Sequence, residues 1–448
     1  MNTLVMPLAL FRRALMDLRR ARRSVAWCRV GLCRTSGDAA WLARDFSLLA
    51  EGSTGAVASS GKVLHLALIT ERPPDWRTLV SQLPSSATGM LAIGDGNLRG
   101  HLWGVVRTSH GIESLHVFSL VGAGMHALQI SNPIHPLTPS PSHPFSLSGH
   151  WSRTIGALGG EAIWQRLVRL SIAIIGCGRI GSLVAVTLAR LGIRQLTLID
   201  PDVVEEHNLG EMDAVTDADL SKPKVEAIVT HLHQLTTSPD QLIVIPSSVT
   251  ADSALAACKR ADVLFCCADN DAARLVTAIL ATLYHKVLVD IGTGIHFTMT
   301  DDQIRNPQFA IRNRTMGADV RLILPGDGCL LCRGNLTNYN QAVENLCNHR
   351  PPVDLQTDWN RQRAGSLRSL NQLAAGLGLH MLQELVTERI QQSVWARVEF
   401  DETGQLAVQY PPTQPSTDIP ACALCAKAGL GDAGLSWEGG EYHDRSST

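Results

Sequence analysis

The sequence predicts an α/β protein whose doubly wound, mostly parallel sheet carries a Rossmann-like nucleotide site, preceded by a smaller N-terminal α+β domain. Three observations support this fold class. Continuous apolar runs alternate with helical patterns after residue 150, a glycine-rich turn follows the first of these runs, and five prolines lie within residues 131–149. Continuous apolar strands separated by helices are typical of parallel sheets that are covered on both faces.

The predicted domain boundaries follow this organisation. Residues 1–130 form the N-terminal α+β domain, 131–149 a stiff Pro-rich linker, 150–436 the nucleotide domain and 437–448 a tail. KVLHLALIT, GHLWGVVRT and SLHVFSLVG predict short strands in the first part. MPLALFRRALMDLRRARRS predicts a basic amphipathic surface helix, with a transit peptide as the alternative interpretation.

In the second part, the runs that predict strands are LSIAIIG, QLTLID, LIVIP, DVLFCC and KVLVDIG. Residues 182–191, SKPKVEAIVTHLHQL and NDAARLVTAILATLYH predict helices between several of these runs. GSLRSLNQLAAGLGLHMLQEL, residues 365–385, predicts a further helix that is rich in small residues. Strands and helices therefore alternate, as a doubly wound sheet requires.

The composition is that of a globular protein, with 45% hydrophobic and 18% charged residues and a formal net charge of −2. This charge gives no general attraction to nucleic acid or to an anionic membrane. No apolar run approaches the roughly 20 residues of a membrane span. The 11 cysteines are an odd number and no secretion signal is recognisable, so we expect a reducing compartment, the cytoplasm.

The glycine-rich turn lies in IAIIGCGRIGSLVAVTLARLG, residues 172–192. Gly176 permits a tight turn, Gly178 lets the backbone approach a phosphate, and Gly181 lets the helix pack close to the strand. The N-terminus of the following helix offers free N–H groups to phosphate oxygens. Asp200 ends the next strand, where an acidic side chain reaches ribose hydroxyls. The turn alone leaves NAD, FAD and ATP open as ligands.

The segment LIDPDVVEEHNLGEMDAVTDADLSKPKVEAI resembles the ThiF–MoeB–HesA adenylyltransferases, the superfamily that includes the ubiquitin-activating enzymes. DVLFCCADNDAARL and the upstream HWSRTIGALGGEAIWQRLVRLSIAIIGCG add two further motifs in the order of that family. The residues that carry the resemblance are Arg153, Asp200, Asp202, Val203, Asn208, Leu209, Pro223, Lys224, Asp269, Asn270 and Arg274.

The resemblance implies an ATP-dependent enzyme that adenylates the C-terminal carboxylate of a small ubiquitin-like or sulfur-carrier protein and releases pyrophosphate. It implies that Lys224 contacts a phosphate, that Asp269 holds Mg²⁺, and that Arg153 reaches the phosphates of the neighbouring subunit in a homodimer. Electrostatic neutralisation of the phosphates and the leaving group is the main task of such a site.

The remaining nucleotide contacts follow from the same resemblance. Asp200 is expected to contact the ribose, Asp202 to belong to the same nucleotide site, Asn208 to lie near the α-phosphate, and Asn270 to lie beside Asp269. Ordinary structural roles are the alternatives: Asp269 could cap the helix that follows it, and Lys224 could be a solvated residue of a first helical turn.

Glu211 departs from the family, which usually has an arginine at this position in contact with the triphosphate. A glutamate beside a phosphate repels it unless a cation intervenes. We expect that Arg179 or Lys222 substitutes for the missing arginine, that the segment is arranged differently, or that activity is reduced. Reduced activity would make the protein a nucleotide-binding pseudo-enzyme, and an NAD- or FAD-dependent oxidoreductase is a further alternative.

Two CxxC pairs, Cys329/Cys332 and Cys422/Cys425, predict a structural Cys₄ zinc site that joins two distant segments. Four reduced surface thiols are the alternative. Cys347, in VENLCNHRPP, resembles the cysteine that ThiF-like members use in sulfur or acyl transfer. A thiolate near basic residues has a lowered pKa and becomes a nucleophile. A plain loop cysteine is the equally weighted interpretation.

The N-terminal domain faintly resembles the start of JAB-type metallopeptidase domains, which are often fused to this adenylyltransferase in bacteria. Such a peptidase needs a His-x-His motif for its zinc, and residues 1–130 contain none. We therefore expect a divergent relative that does not bind metal, with an unrelated α+β module as the alternative.

Overall fold

A computed structural model describes residues 2–21, 25–35, 38–48, 62–69, 87–94, 102–130, 149–235, 237–297, 314–333, 336, 339–347, 366–401, 403–411 and 422–435. Within these residues the chain forms two large sheets. The predicted tail, 437–448, and the linker up to residue 148 lie outside the described residues, so the proposed domain boundaries stay a prediction.

The first sheet has nine strands in the order β7-β6-β5-β4-β2-β3-β1-β8-β9. They are β1 (Asn2–Pro7), β2 (Val25–Thr35), β3 (Asp38–Leu48), β4 (Lys62–Ile69), β5 (Gly89–Gly94), β6 (Leu102–Thr108), β7 (Gly111–Ser114), β8 (Val117–Val121) and β9 (His126–Gln129). The sheet is mixed, because β1 pairs in parallel with β3 and β8, and β4 with β5, whereas the other pairs are antiparallel.

Helix α1 (Leu8–Arg20) covers one face of this sheet. Leu8, Phe11, Ala14 and Leu18 recur at helical spacing and are buried, while the arginines of the helix are exposed. The predicted basic amphipathic helix is therefore confirmed.

The second sheet has eight strands in the order β12-β11-β10-β13-β14-β15-β16-β17. They are β10 (Ser171–Ile175), β11 (Gln195–Ile199), β12 (Gln241–Ile245), β13 (Val263–Cys266), β14 (Val287–Phe297), β15 (Arg314–Ile323), β16 (Val394–Phe400) and β17 (Leu406–Gln409). The first five strands in sequence are parallel and the last three add on as antiparallel neighbours. The predicted α/β class with a mostly parallel sheet is confirmed.

The helices of this second half are α2 (Ser152–Leu158), α3 (Glu161–Val168), α4 (Arg179–Leu191), α5 (Lys224–Leu232), α6 (Asp252–Arg260), α7 (Asp271–Leu283), α8 (Tyr339–Cys347) and α9 (Arg368–Val386). Strand order reverses at β10, which lies between β11 and β13. In doubly wound sheets, ligands bind beyond the carboxyl ends of the strands at such a reversal. The glycine turn lies at this position, directly after β10.

The two sheets share apolar packing. Val5, Cys33, Leu42 and Val121 of the first sheet belong to the hydrophobic cluster of the second half, whereas Leu4 and its same-face neighbours pack with α1. The first sheet therefore lies between α1 and the second half of the chain. Among the described residues, no helix combines the length and the apolarity that crossing a bilayer requires.

Candidate active site

The glycine turn connects β10 to α4. Gly176 has a φ of +84°, and a Cβ there would lie 2.7 Å from the Ala268 nitrogen. A Cβ at Gly181 would overlap the carbonyl oxygen of Gly176, whereas a Cβ at Gly178 would meet no atom within 4 Å. The turn thus combines two positions that only glycine can fill with one that opens onto free space, where a phosphate can approach the backbone.

Asp200 follows β11 and is only 5% exposed. Its carboxylate accepts hydrogen bonds from the backbone N–H of Cys177, at 2.6 Å, and of Asp202, at 2.9 Å. Burial raises the pKa of Asp200 above its ordinary value, and the Lys224 ammonium opposes that shift. The carboxylate therefore braces the glycine turn against the second strand, and its predicted contact with a ribose stays a prediction.

Asp202 and Lys224 form an ion pair beside this turn, with 2.8 Å between Nζ and Oδ2. The Asp202 side chain is 63% exposed and the Lys224 side chain 11%. Pro223 precedes Lys224, whose N–H donates to the Asp202 carbonyl oxygen. A buried lysine stem with its ammonium group directed at the site fits a phosphate contact better than a solvated surface role.

Asn208 is buried and organises the loop after β11. Its Oδ1 accepts from the Glu205 N–H at 2.9 Å, and its carbonyl oxygen accepts from the N–H groups of Glu211 and Met212. The contact of Asn208 with the α-phosphate, which the resemblance implies, stays a prediction.

Asp269 and Asn270 follow β13, and both are exposed. Asn270 caps α7, because its Oδ1 accepts from the Ala273 N–H at 2.8 Å. The capping role that competes with metal binding therefore belongs to Asn270. Within the described part of the chain, the Asp269 carboxylate has no hydrogen bond or ion pair, and it is available to a cation.

Arg274, the third residue of this motif, is fixed behind the strand end. Its guanidinium donates to the carbonyl oxygens of Ala268, at 3.1 Å, and Ile291, at 3.1 Å. It also pairs with the fully buried Asp290 at 3.3 Å. These contacts hold the backbone next to Asp269.

The two predicted phosphate arginines are more open. Arg179 begins α4 and is half-buried, and Arg153 in α2 is exposed. Neither side chain has a polar partner among the residues that the structure describes. Lys222, the other candidate substitute, pairs with Asp219 at 3.0 Å.

Glu211 lies in the same loop as Asn208 but contacts α9. Its Oε2 accepts from Ser366 Oγ at 2.9 Å and from Asn371 Nδ2 at 3.4 Å. Sequence reasoning did not identify Ser366 or Asn371. The available signal was an asparagine shortly before the stretch of small and apolar residues in the middle of α9.

The four paired cysteines come together. Sγ–Sγ distances are 3.7 Å for Cys329–Cys332, 3.7 Å for Cys329–Cys422 and 3.5 Å for Cys332–Cys425. Tetrahedral zinc with bonds of about 2.3 Å to sulfur separates its ligands by about 3.8 Å. All four Sγ atoms lie within 4.8 Å of one another, so the cluster fits a zinc ion. Hydrogen bonds from the other thiols, first that of Cys425, hold the pKa of Cys329 well below its ordinary value.

Cys347 is the last residue of α8, and its side chain and its basic neighbours at 349 and 350 lie outside the described residues. Its nucleophilic role stays a prediction. Cys266 is buried in β13, and burial raises the pKa of its thiol to about 12. It is therefore a packing residue.

The model of the ThiF family matches residues 151–385, which include every nucleotide-site residue described above. The Escherichia coli (strain K12) sulfur carrier protein ThiS adenylyltransferase is 36% identical over 119 residues, 26% of this chain and 45% of that protein. The Bos taurus adenylyltransferase and sulfurtransferase MOCS3 is 29% identical over 161 residues, 36% of this chain and 35% of that protein.

The ubiquitin-like modifier-activating enzyme 5 of Drosophila pseudoobscura pseudoobscura is 33% identical over 182 residues, 38% of this chain and 41% of that protein. The chain thus spans less than half the length of these curated relatives. Among solved structures, E. coli MccB with ATP has a TM-score of 0.45 and 19% identity, over 62% of this chain and 75% of that chain.

Proposed function

Because the chain belongs to the ThiF family, we propose that it uses ATP to adenylate the C-terminal carboxylate of a small ubiquitin-like or sulfur-carrier protein. The observation that carries this proposal is the convergence of the glycine turn, the Asp202–Lys224 pair and the unpartnered Asp269 at one edge of the sheet. These groups are suited to hold the phosphates of a nucleotide and a cation.

The proposed step forms one bond and breaks one. A carboxylate oxygen of the carrier attacks the α-phosphorus of ATP, and pyrophosphate leaves with the electron pair of the broken P–O bond. The first N–H groups of α4 and the Lys224 ammonium stabilise negative charge on the phosphates. Exposed Asp202 contacts the ribose hydroxyls, while buried Asp200 holds the turn.

Asp269 would hold Mg²⁺, a hard cation that prefers carboxylate oxygens and neutralises phosphate charge. The cysteine cluster would hold Zn²⁺ as a closed, structural site. Exposed Arg153 is free to reach a second subunit, which fits the proposal of a homodimer in which it acts on the neighbouring nucleotide.

ATP–pyrophosphate exchange in the presence of a carrier that ends in Gly-Gly tests the function. Wild-type protein should exchange label only when the carrier is present. Asp269→Asn should reduce exchange by roughly 10²–10³-fold, because a site loses charge stabilisation of its transition state. Asp252→Asn, which changes an exposed aspartate at the start of α6, is the matched control.

Unchanged exchange in Asp269→Asn would remove this residue from the site. Measurable ATP binding without exchange, with every Gly-ending carrier tried, would instead identify a nucleotide-binding pseudo-enzyme.

We also propose that Cys347 acts after adenylation, as a nucleophile toward the acyl-adenylate. The Cys347 thiolate attacks the carbonyl carbon of the acyl-adenylate, a carbon–sulfur bond forms and AMP leaves, which gives a thioester between Cys347 and the carrier. Cys347→Ser should leave ATP–pyrophosphate exchange intact and should abolish this thioester, which mass spectrometry of the enzyme–carrier conjugate detects. Full formation of the final product by this variant would show that Cys347 takes no part in the reaction.

A further inference from the structure

We infer that Glu211 is a positioning residue: it fastens the Asn208–Asp213 loop, which carries Asn208 to the nucleotide, onto helix α9. The inference rests on the proposed function and deepens it, because it assigns the residue that departs most clearly from the family. On this assignment Glu211 supports ATP binding from behind the loop and does not repel the phosphates.

A first set of contacts is a chain of hydrogen bonds that begins in β14 and ends at the Glu211 carboxylate. Thr293 Oγ1 donates to Asn371 Oδ1 at 2.9 Å, and Asn371 Nδ2 donates to Ser366 Oγ at 3.0 Å. Ser366 Oγ then donates to Glu211 Oε2 at 2.9 Å. Asn371 is only 1% exposed, so this chain is built into the core and its polar groups are paired by Glu211 and Thr293.

A second set of contacts has the same polarity, because the α9 side again donates and the loop accepts. Arg368, at the start of α9, donates from Nη1 to the Met212 carbonyl oxygen at 3.3 Å and forms an ion pair with Asp213. The helix thus contributes the guanidinium cation of this ion pair, and the loop contributes the carboxylate anion. Charge complementarity of this kind fixes one arrangement of two elements.

The loop is also tied to the nucleotide turn itself. The Asp213 N–H donates to Ser182 Oγ at 2.9 Å, and Ser182 is fully buried in the first turns of α4. The carbonyl oxygen of Asn208 accepts from the Glu211 N–H at 3.0 Å. A displacement of Glu211 is therefore transmitted to Asn208 and toward the N-terminus of α4, where a phosphate would bind.

The identity of the partners explains why an acid is used here. Both groups that reach Glu211 Oε2 are donors, a hydroxyl and an amide N–H. An arginine at this position would present N–H donors to the Asn371 amide N–H and would remove the acceptor of the Ser366 hydroxyl hydrogen. Restoring the residue type of the family should therefore harm this protein.

The test compares Glu211→Ala, Glu211→Gln and Glu211→Arg with wild type and with Glu206→Ala, an exposed glutamate of the same loop. Three quantities are measured for each variant: the ATP dissociation constant, the KM for ATP and kcat of ATP–pyrophosphate exchange, and the rate of amide hydrogen exchange in residues 206–213. Glu211→Ala and Glu211→Arg should weaken ATP binding about tenfold and speed exchange in the loop, since a hydrogen-bonded carboxylate is lost. KM should rise more than kcat falls.

Glu211→Gln keeps an acceptor oxygen and should recover most of the ATP affinity. Ser366→Ala should resemble Glu211→Ala, and the double variant should be no worse than either single variant, because both remove one interaction. Additive losses would contradict the inference, as would tighter ATP binding by Glu211→Ala or Glu211→Arg.

The two proposals fail separately. Absence of exchange in wild-type protein contradicts the adenylation reaction, whereas the ATP dissociation constants and the loop exchange still decide the role of Glu211. Normal exchange in wild type together with unaltered ATP binding in Glu211→Ala overturns the inference alone.

Discussion

His285 shows how the contact between the two sheets fixes one protonation state. It is 3% exposed, has a φ of +52°, and places Nε2 2.6 Å from the carbonyl oxygen of Ala43 in β3. Because a carbonyl oxygen only accepts, Nε2 carries the proton and donates it. Burial lowers the pKa of His285 to about 4, so the imidazole is neutral at pH 7.

This shift predicts acid sensitivity. The pKa is lower in the folded protein than in the unfolded chain, about 4 against 6.5, so the unfolded chain binds the proton first as pH falls. The free energy of unfolding should decrease between pH 6.5 and 4, by at most about 3 kcal/mol for this residue. His285→Asn, which tolerates the left-handed backbone, should be less stable at pH 7, and its deficit should shrink toward pH 4.

Denaturant unfolding at several pH values measures this difference, in which all other titrating groups cancel. A deficit of His285→Asn that stays constant from pH 7 to 4 would show that His285 does not titrate in this way.

At this scale the sequence predicts only those partners that a short motif specifies. The CxxC spacing predicted that the four cysteines form one cluster, because the two cysteines of each pair lie within one turn of the chain. Glu211 was identified as unusual, but its partners Ser366 and Asn371 are 155 and 160 residues away. Pairing over such separations depends on how α9 packs, and no local pattern contains that information.

At the scale of elements, the turn between β10 and α4 was predictable because its constraints are local. The apolar run, the glycines and the helix of this motif follow one another within about 20 residues. The antiparallel strands β15, β16 and β17 were not predicted. The apolar residues of β15 and β16 are interrupted by Asp319, Arg321 and Arg397, which pair with one another, and the four residues of β17 are exposed. Helix α6 was missed as well, because its nine residues are short and mostly small or polar.

Two glycines of the turn predict opposite phenotypes. A methyl group at Gly178 meets no atom within 4 Å, so Gly178→Ala should keep near-normal stability but weaken ATP binding by blocking the approach of phosphate. A methyl group at Gly181 overlaps the Gly176 carbonyl, so Gly181→Ala should lower the free energy of unfolding by about 1–3 kcal/mol. Thermal melts and ATP titrations measure both.

Equal ATP affinity in Gly178→Ala and wild type would mean that phosphate does not approach the backbone there. A Gly181→Ala protein of unchanged stability would contradict the close packing of α4 on β10.

At the scale of the whole molecule, the segment Cys422–Leu435 connects the four-cysteine cluster to both sheets. Beyond Cys425, the carbonyl oxygens of Ala426 and Ala428 accept from Arg44 of β3, at 3.2 Å each. Gly431 forms a bridge with Leu32 of β2. Asp432 accepts from Lys259 and from Tyr284 at 2.8 Å each, and Lys259 lies in α6. The cluster therefore anchors a segment that holds the first sheet on the second half.

Metal removal should loosen this contact specifically. We expect about one zinc per chain, and chelation or Cys425→Ser should speed hydrogen exchange in β2, β3 and residues 426–435. Exchange in β10 and α4 should change little, because neither element contacts the cluster. Cys258→Ala, a buried cysteine outside the cluster, should keep its zinc and serves as control.

Metal analysis that finds no zinc would contradict the proposal that a zinc ion fixes this segment. Chelation that speeds exchange equally throughout the protein would show general unfolding in place of a released segment.

The sequence suggested two domains joined by a Pro-rich linker, and the shared packing of Val5, Cys33, Leu42 and Val121 with the second half was not foreseen. Such residues read as ordinary core positions of a small domain. Which of two cores they join is decided only when both sheets are folded, and a pattern of apolar residues along one strand does not encode it.

The bridge between β2 and Cys422–Leu435 also imposes an order on biosynthesis. The Arg34 N–H and the Asp432 carboxylate that accepts it at 2.8 Å are 398 residues apart. A ribosome that adds roughly 5–20 residues per second needs about 20–80 s to cover this distance. Throughout that interval the face of the first sheet that carries Cys33 and Leu42 lacks the contacts that residues 422–435 supply in the folded protein.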